Sequence, residues 1–222
     1  MLTHISHHPL FAGMTQAERE QVLSCSASGI HRFSRGEVLL RGGQAVPKVG
    51  ILLEGNVLMV RDDAFGNQSL LSRISFDDLF GLPLCFSMED TQDVYLFAQT
   101  DCQALLLDAQ ILLQGCEHRC ETHRQLLQNT LTILARKNIG LIRRQCHMAR
   151  HSLRGKIASY LSDLSLQLNA NELTVPFNRQ GFADYLGVDR SALSAELSRM
   201  KRDGLLDYEK NRFTLYDPLF TQ

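Results

Sequence analysis

Residues 178–216, NRQGFADYLGVDRSALSAELSRMKRDGLLDYEKNRFTLY, constrain the fold more than any other stretch of the chain. Phe182, Ala183 and Leu186 recur at helical spacing from about Arg179, and Gly187 follows as the residue that tolerates the left-handed conformation ending a helix. Asp189 is placed to cap a second helix, its carboxylate accepting the N–H near Ala192. Leu193, Leu197 and Met200 form the core stripe of that helix, with Glu196 on the same side. At about 100° per residue, Ser191, Ser194, Ala195, Ser198 and Arg202 point the other way. The alternating runs LLDY and FTLY, around Glu209, Lys210 and Asn211, add a hairpin after Gly204. Two helices, a tight turn and a hairpin predict a winged helix-turn-helix rather than an ordinary surface helical hairpin, which would carry no wing. A short polar face backed by Arg190, Arg199 and Lys201 suits the major groove of DNA, where hydroxyls and guanidinium forks read base edges or grip phosphates.

The net charge of −1 argues against a nucleic-acid binder until it is divided along the chain. Residues 1–135 hold nine Lys and Arg against fifteen Asp and Glu, a balance of −6, whereas residues 136–222 hold fourteen against nine, a balance of +5. The segment 136–156, RKNIGLIRRQCHMARHSLRGK, has seven basic residues and no acid. A basic C-terminal half joined to an acidic N-terminal half suits a regulator in which only the reading end attracts phosphates. The length of 222 residues allows one large or two small domains. No apolar run approaches a membrane span, and MLTHISHHPLF lacks the regions of a signal peptide, so a cytoplasmic protein without membrane partners is expected. Six cysteines, at positions 25, 85, 102, 116, 120 and 146, are too scattered for a disulfide framework in that compartment.

Residues 16–26 read as a short amphipathic helix. EVLLR, KVGILLE, NVLMVRD, SLLSRIS, VYLFAQ and CQALLLD then follow as strands separated by Gly42-Gly43, Gly55-Asn56 and Gly66-Asn67, which predicts an all-β barrel or roll. From about Asp108 the period is helical through Met148, with Leu127, Leu131, Leu134, Asn138 and Leu141 on one stripe at coiled-coil spacing. So long a seam exceeds what a small roll can cover, which favours a parallel homodimer, and Asn138 can fix the register across the two-fold axis. Leu153, Ile157, Leu161, Leu164 and Leu168 mark another amphipathic helix over residues 151–168. The expected division is an effector or sensor roll over residues 1–112, a dimerisation helix over 113–150 and a winged helix-turn-helix over 151–222.

With these parts in this order the chain resembles the Crp/Fnr family of bacterial transcription regulators over nearly its whole length. GEVLLRGGQAVPKVGILLEGNVLMV (36–60) resembles the first strands of the family, FDDLFGL (76–82) its Gly-rich turn, and LRGKIASYL with NRQGFADYLGVDRSALSAELSRM its DNA-binding domain. The resemblance implies an α+β fold: a cyclic-nucleotide-binding-like β-roll (jelly roll), a long dimerisation helix and a C-terminal winged helix-turn-helix. It also implies a dimer on a double-stranded operator, RNA polymerase as a partner, and an unidentified small-molecule or redox effector that reorients the recognition helices.

Two departures bear on function. Cyclic-nucleotide binders of this fold hold the ribose with Glu and the cyclic phosphate with an Arg-Ser pair, at positions that here carry Leu82, Gln92 and Asp93 in a pocket with Phe80 and Gly81. A carboxylate facing a buried phosphate, with nothing nearby to offset it, makes cyclic AMP an improbable effector. The iron–sulfur branch uses an N-terminal cysteine cluster, and no cysteine precedes Cys25 here. In the recognition helix, relatives place Glu, Ser and Arg at the positions of Ser191, Ser194 and Ala195; only Ser194 matches, which puts the usual half-site sequence in doubt and not the docking mode. Arg179 and Gln180 match residues that contact phosphates, while Arg190 and Ser191 are the candidates for base reading, with Asp189, Ser198, Arg199, Lys201 and Arg202 completing the candidate DNA face.

Cys116, Cys120 and His123 are spaced four and three apart on the face that continues into Leu127, Leu131 and Leu134. They read equally as packing that extends the seam and as a soft-metal or redox site. The alternatives to an effector bound in the roll are therefore a redox- or metal-responsive regulator acting through Cys116 and Cys120, and a ligand-binding module whose winged helix contacts protein. His4, His7 and His8 could ligate haem or metal, although terminal histidines are more often solvated. No P-loop, G-x-S-x-G elbow or H-E-x-x-H pair occurs, so no enzyme is expected.

Overall fold

The runs KVGILLE and CQALLLD are apolar almost throughout, which in an antiparallel sheet requires cover on both faces. The computed structural model describes residues 5, 7–26, 28–43, 48–63, 65, 67–86, 92–114 and 121–216. Its contacts divide the chain into two compact units, Met1–Ile133 and Leu134–Gln222.

In the first unit a 3-10 turn (Pro9–Phe11) and helix α1 (Gln16–Cys25) precede strands β1 (Gly29–Phe33), β2 (Val38–Arg41), β3 (Lys48–Glu54), β4 (Val57–Asp62), β5 (Gln68–Ile74) and β6 (Leu79–Phe80). A short helix α2 (Leu82–Phe86), strands β7 (Val94–Ala98) and β8 (Cys102–Asp108), helix α3 (Ala109–Gln114) and the long helix α4 (Glu121–Met148) follow. The strands form two four-stranded sheets, ordered β1-β8-β3-β6 and β2-β7-β4-β5. Alternate residues of β3 and β8 serve two cores. Leu52, Ala104 and Leu106 join Leu40, Val57, Phe80, Leu96 and Ala98 in one buried cluster, whereas Val49, Ile51, Leu105 and Leu107 join Leu10, Phe11, Leu126 and Ile133 in the other. Both faces of that sheet are covered, which accounts for the two unbroken apolar runs.

Local chemistry fixes the ends of these elements. Thr15 and Glu18 form a reciprocal capping box at the start of α1. Gly50 in β3 permits the close approach of the neighbouring strands, since a Cβ there would lie 2.3 Å from Phe80 Cζ and 2.8 Å from Leu106 Cδ2. Gly55, at φ 85°, turns β3 into β4. His8 is buried, its Nδ1 accepting from Leu10 N at 3.0 Å and its Nε2 3.1 Å from Asp77 O, so it is a structural group, whereas His7 is exposed and His4 lies outside the described residues. Cys85 is buried with its Sγ 3.2 Å from Lys48 O, and burial pushes its thiol up to about 11.

Six of the eight strands among the described residues of this unit carry the apolar patterns expected of them in the sequence. Strand β1, GIHRF, has three exposed residues in the middle of its five and so carries no apolar alternation. Strand β6 is two residues long, and the FDDLFGL segment read as a turn contains it and leads into α2. Residues 115–120, within the continuous helix expected from Asp108, lie outside the described residues.

In the second unit the remainder of α4 is followed by α5 (Leu153–Leu168), β9 (Glu172–Thr174), α6 (Arg179–Leu186), α7 (Arg190–Arg202), β10 (Leu206–Glu209) and β11 (Arg212–Leu215). The strands form an antiparallel sheet in the order β10-β11-β9. Ile157, Leu161, Phe182, Leu186, Leu193, Leu197, Met200 and Phe213 share one core. Of the residues expected on the inner face of α5, Leu168 is 55% exposed and Tyr160 is buried in its stead, its ring 5.0 Å from that of Phe182. One acid interrupts this core surface. Glu196, 8% exposed, accepts from Arg154 Nε of α5 at 2.8 Å and from Arg199 Nη1 at 3.0 Å, while Arg154 also pairs with Asp203 at 2.7 Å. Two guanidinium partners let a carboxylate sit where an unpaired one could not.

The bond from Arg154, and then that from Arg199, holds the Glu196 carboxyl below its usual range. A depressed folded value means that the pairing stabilises the fold above the unfolded-state value near 4.5, and that this stability is lost as pH falls through the lower folded value. Glu196→Gln is expected to remove this component, worth about 1 kcal/mol because Arg154 is partly solvated. The check is urea unfolding of wild type and variant from pH 7 to pH 3: the difference between them should shrink on acidification, and a constant difference contradicts the assignment.

Candidate nucleic-acid interface

Asn178 begins α6 by accepting from Gly181 N at 2.8 Å, and Gly187 ends it at φ 65°, its N–H directed to Ala183 O and Asp184 O. The chain then turns into α7 at Asp189. Asp189 occupies the capping position expected of it, but its carboxylate makes no capping hydrogen bond. It is exposed, and the expected bond near Ala192 is not formed.

Leu193, Leu197 and Met200 are fully buried, which turns the remaining face of α7 outward. Arg190, Ser191, Ala195, Ser198, Arg199, Lys201 and Arg202 are exposed, and Ser194 is half-buried. Several of these side chains already have partners. Ser194 Oγ donates to Arg190 O and Ser198 Oγ to Ser194 O, each at 2.9 Å, and Ser198 also lies 3.3 Å from the Tyr208 hydroxyl. Lys201 pairs with Asp207, and Arg199 with Glu196.

The wing is tied to the first helix of the motif. Arg179 stacks over the Tyr208 ring, its guanidinium carbon 4.9 Å from the centroid, and donates to Lys210 O at 3.1 Å. Burial pushes the Arg179 guanidinium below its ordinary range. Gln180 donates to Asp184 at 2.8 Å. Lys210, at φ 54°, turns the wing and is exposed beside Arg212. The Arg179–Tyr208 stack and the Arg154–Glu196 pair leave no local sequence signal because their members are separated by 29 and 42 residues, respectively. The single available signal was an acid, Glu196, on an otherwise apolar stripe.

In the roll, Phe80 and Leu82 are buried in the two cores, and a Cβ on Gly81, itself at φ 90°, would meet Lys48 O at 2.6 Å. Gln92 is exposed. Asp93 differs from expectation: Arg61 Nε donates to its carboxylate at 2.5 Å, holding that carboxyl below its usual range. The pairing of β4 with β7 sets Arg61 opposite Val94 and so brings this cation to Asp93, a neighbour that sequence distance concealed. A cyclic phosphate would therefore have to compete with Asp93 for Arg61.

Along α4, Thr122, His123, Leu126, Asn129, Thr130 and Ile133 are buried, and Asn129 Nδ2 lies 2.9 Å from both Leu10 O and Ala12 O. The stripe read as a seam has the opposite character: Leu127 is half-buried, Leu131 is 56%, Leu134 37% and Leu141 66% exposed, and Asn138 is exposed. Burial pushes the His123 imidazole below its ordinary range. Cys116 and Cys120 lie outside the described residues, among which no cluster of His, Cys, Asp and Glu could hold a metal.

The family model for a Crp-like helix-turn-helix domain matches residues 155–219, and that for a cyclic nucleotide-binding domain matches residues 30–119. The cAMP-activated global transcriptional regulator CRP of Pasteurella multocida (strain Pm70) is 20% identical over 191 residues, which are 84% of this chain and 90% of that protein. The nitrogen fixation regulation protein FixK of Rhizobium meliloti (strain 1021) is 31% identical over 104 residues, 46% of each chain. The solved structure of CprK complexed with OCPA is 19% identical, covers 94% of both chains and superposes with a TM-score of 0.61, a likeness of fold. With a nucleotide-binding-type roll, a long helix and a Crp-like helix-turn-helix in one chain, the protein belongs to the Crp/Fnr family of DNA-binding transcription regulators.

Proposed function

We propose that this chain is a dimeric, sequence-specific regulator that places its two α7 helices in successive major grooves of a two-fold operator, under the control of an effector that is not cyclic AMP. The observation that carries this reading is the outward face of α7, with Arg190, Ser191 and Arg202 exposed above a fully buried apolar stripe. The exposed leucines of α4 supply the dimer seam. In this reading residues 1–112 sense the effector, 113–150 pair the subunits and 151–222 bind DNA, in the cytoplasm, with RNA polymerase as the downstream partner and no catalysis by this chain. No helix among the described residues is long and apolar enough to cross a membrane. Relatives differ in ligand, one being named as activated by cAMP and another, from Xanthomonas campestris, as responsive to c-di-GMP, so the roll carries no single effector chemistry across them.

Operator selection from random DNA followed by titration tests the first part. Affinity should fall steeply with salt, and Arg190→Ala should lose roughly 1–3 kcal/mol of discrimination at one base pair of each half-site. A footprint with one half-site, or affinity indifferent to salt, contradicts the reading.

Leu134→Asp sets like charges into the apolar seam and is expected to yield folded monomers with little operator affinity, because a monomer engages only one half-site. Sedimentation of the variant as a dimer would place the interface elsewhere.

Calorimetry with cyclic AMP is expected to show no heat of binding at physiological nucleotide concentrations, since Asp93 occupies Arg61 and Leu82 offers the ribose no acceptor. A micromolar complex would overturn the assignment of the pocket.

A further inference from the structure

The last turn of α4 carries Arg144, His147 and Met148 at spacings of three and four, hence on one face, and within the second unit all three meet the C-terminal end of α6. Arg144 Nε donates to Tyr185 O at 3.0 Å and its Nη2 to Asp184 O at 3.2 Å, with the guanidinium carbon 5.4 Å from the Tyr185 ring centroid. These carbonyls are among the last four of α6, where intrahelical donors run out and the helix dipole favours a cation. His147, 4% exposed, shares a 3.0 Å hydrogen bond with the Tyr185 hydroxyl through Nδ1, and its Nε2 lies 3.6 Å from Asp163 of α5. The Tyr160 ring meets the imidazole edge-on at 5.6 Å. A Cβ on Gly187, the residue that begins the turn between α6 and α7, would come within 3.1 Å of the Met148 methyl.

We propose that Arg144, His147 and Tyr185 form a joint that fixes the angle at which the helix-turn-helix leaves the end of α4, which makes them positioning residues for operator binding. The inference rests on the regulator reading above. Apolar contacts alone would let the two elements slide, because they are non-directional, whereas three hydrogen bonds from two side chains to one end of α6 tolerate a narrow range of angles. The chemistry also suits a contact that is held at neutral pH. Burial holds His147 below its ordinary range, Arg143 and Arg150 act in the same direction and Asp163 opposes them, so near neutral pH the ring is uncharged and can remain among Tyr160 and Tyr185.

Three variants separate positioning from packing. Tyr185→Phe keeps the ring and removes the hydroxyl; Arg144→Ala removes both carbonyl contacts, and Arg144→Lys restores a cation. Each should fold and retain the wild-type oligomeric state. Tyr185→Phe, which changes no charge, should bind the selected operator about tenfold more weakly, the effect of losing one hydrogen bond's worth of orientation, with binding to random-sequence DNA unchanged; Arg144→Ala should weaken operator binding more than random-DNA binding, and Arg144→Lys should recover part of the loss. Energy transfer between fluorophores on unnatural amino acids at Arg136 and Asn171 should show one narrow distance in the wild type and a broadened one in Tyr185→Phe and Arg144→Ala, with or without DNA. An unchanged distance distribution, or an unchanged ratio of operator to random-DNA affinity, overturns the joint. A wild type that binds no DNA overturns both this inference and the regulator reading, whereas a wild type that binds beside variants that behave like it overturns this inference alone.

Discussion

The outward chemistry of the helix-turn-helix in the second unit depends on the burial of one apolar stripe. Leu193, Leu197 and Met200 sit against Ile157, Leu161 and Phe182, and at 3.6 residues per turn their burial leaves Arg190, Ser191, Ser198 and Arg202 no direction but outward. The polar contacts refine what this stripe determines. Arg154 and Arg199 neutralise the one acid on it, and Arg179 holds the wing through Tyr208 and Lys210. A guanidinium expected from the sequence to contact phosphate is thus the bracket of the hairpin.

In the first unit the corresponding constraint is the double cover of one sheet. Strands β3 and β8 send alternate residues into two cores, so each side chain is needed for its size as well as its polarity, and Gly50 marks the place where no side chain fits. Phe80 and Leu82 enter different cores on either side of Gly81. The segment expected to line an effector pocket is here part of the packing.

The C-terminal architecture was legible in the sequence because helical period, an αL glycine and a hairpin are local signals, and Gly187, Leu193 and Lys210 each carry their own meaning. The two sheets were legible only in part. KVGILLE and CQALLLD declare themselves by composition, but GIHRF carries His31 and Arg32 on a largely exposed strand and declares nothing. Least legible were the pairings. Arg61 reaches Asp93 through the register of β4 against β7, a quantity that belongs to the sheet and not to either segment. Asp189 shows the converse, a local rule placing the residue correctly and its bond incorrectly, since the carboxylate makes no capping hydrogen bond.

The burial of Cys85 bears on how the protein meets oxidants and alkylating reagents. The nucleophile in such reactions is the thiolate, and a thiol pushed up to about 11 and directed at a backbone carbonyl scarcely forms one at neutral pH. Cys102 is buried as well, with its thiol likewise raised, while Cys25 and Cys146 are exposed. Among the described cysteines, then, those in the roll interior are shielded, and the first sulfur chemistry would fall on the exposed Cys25 of α1 and Cys146 of α4, one in each compact unit.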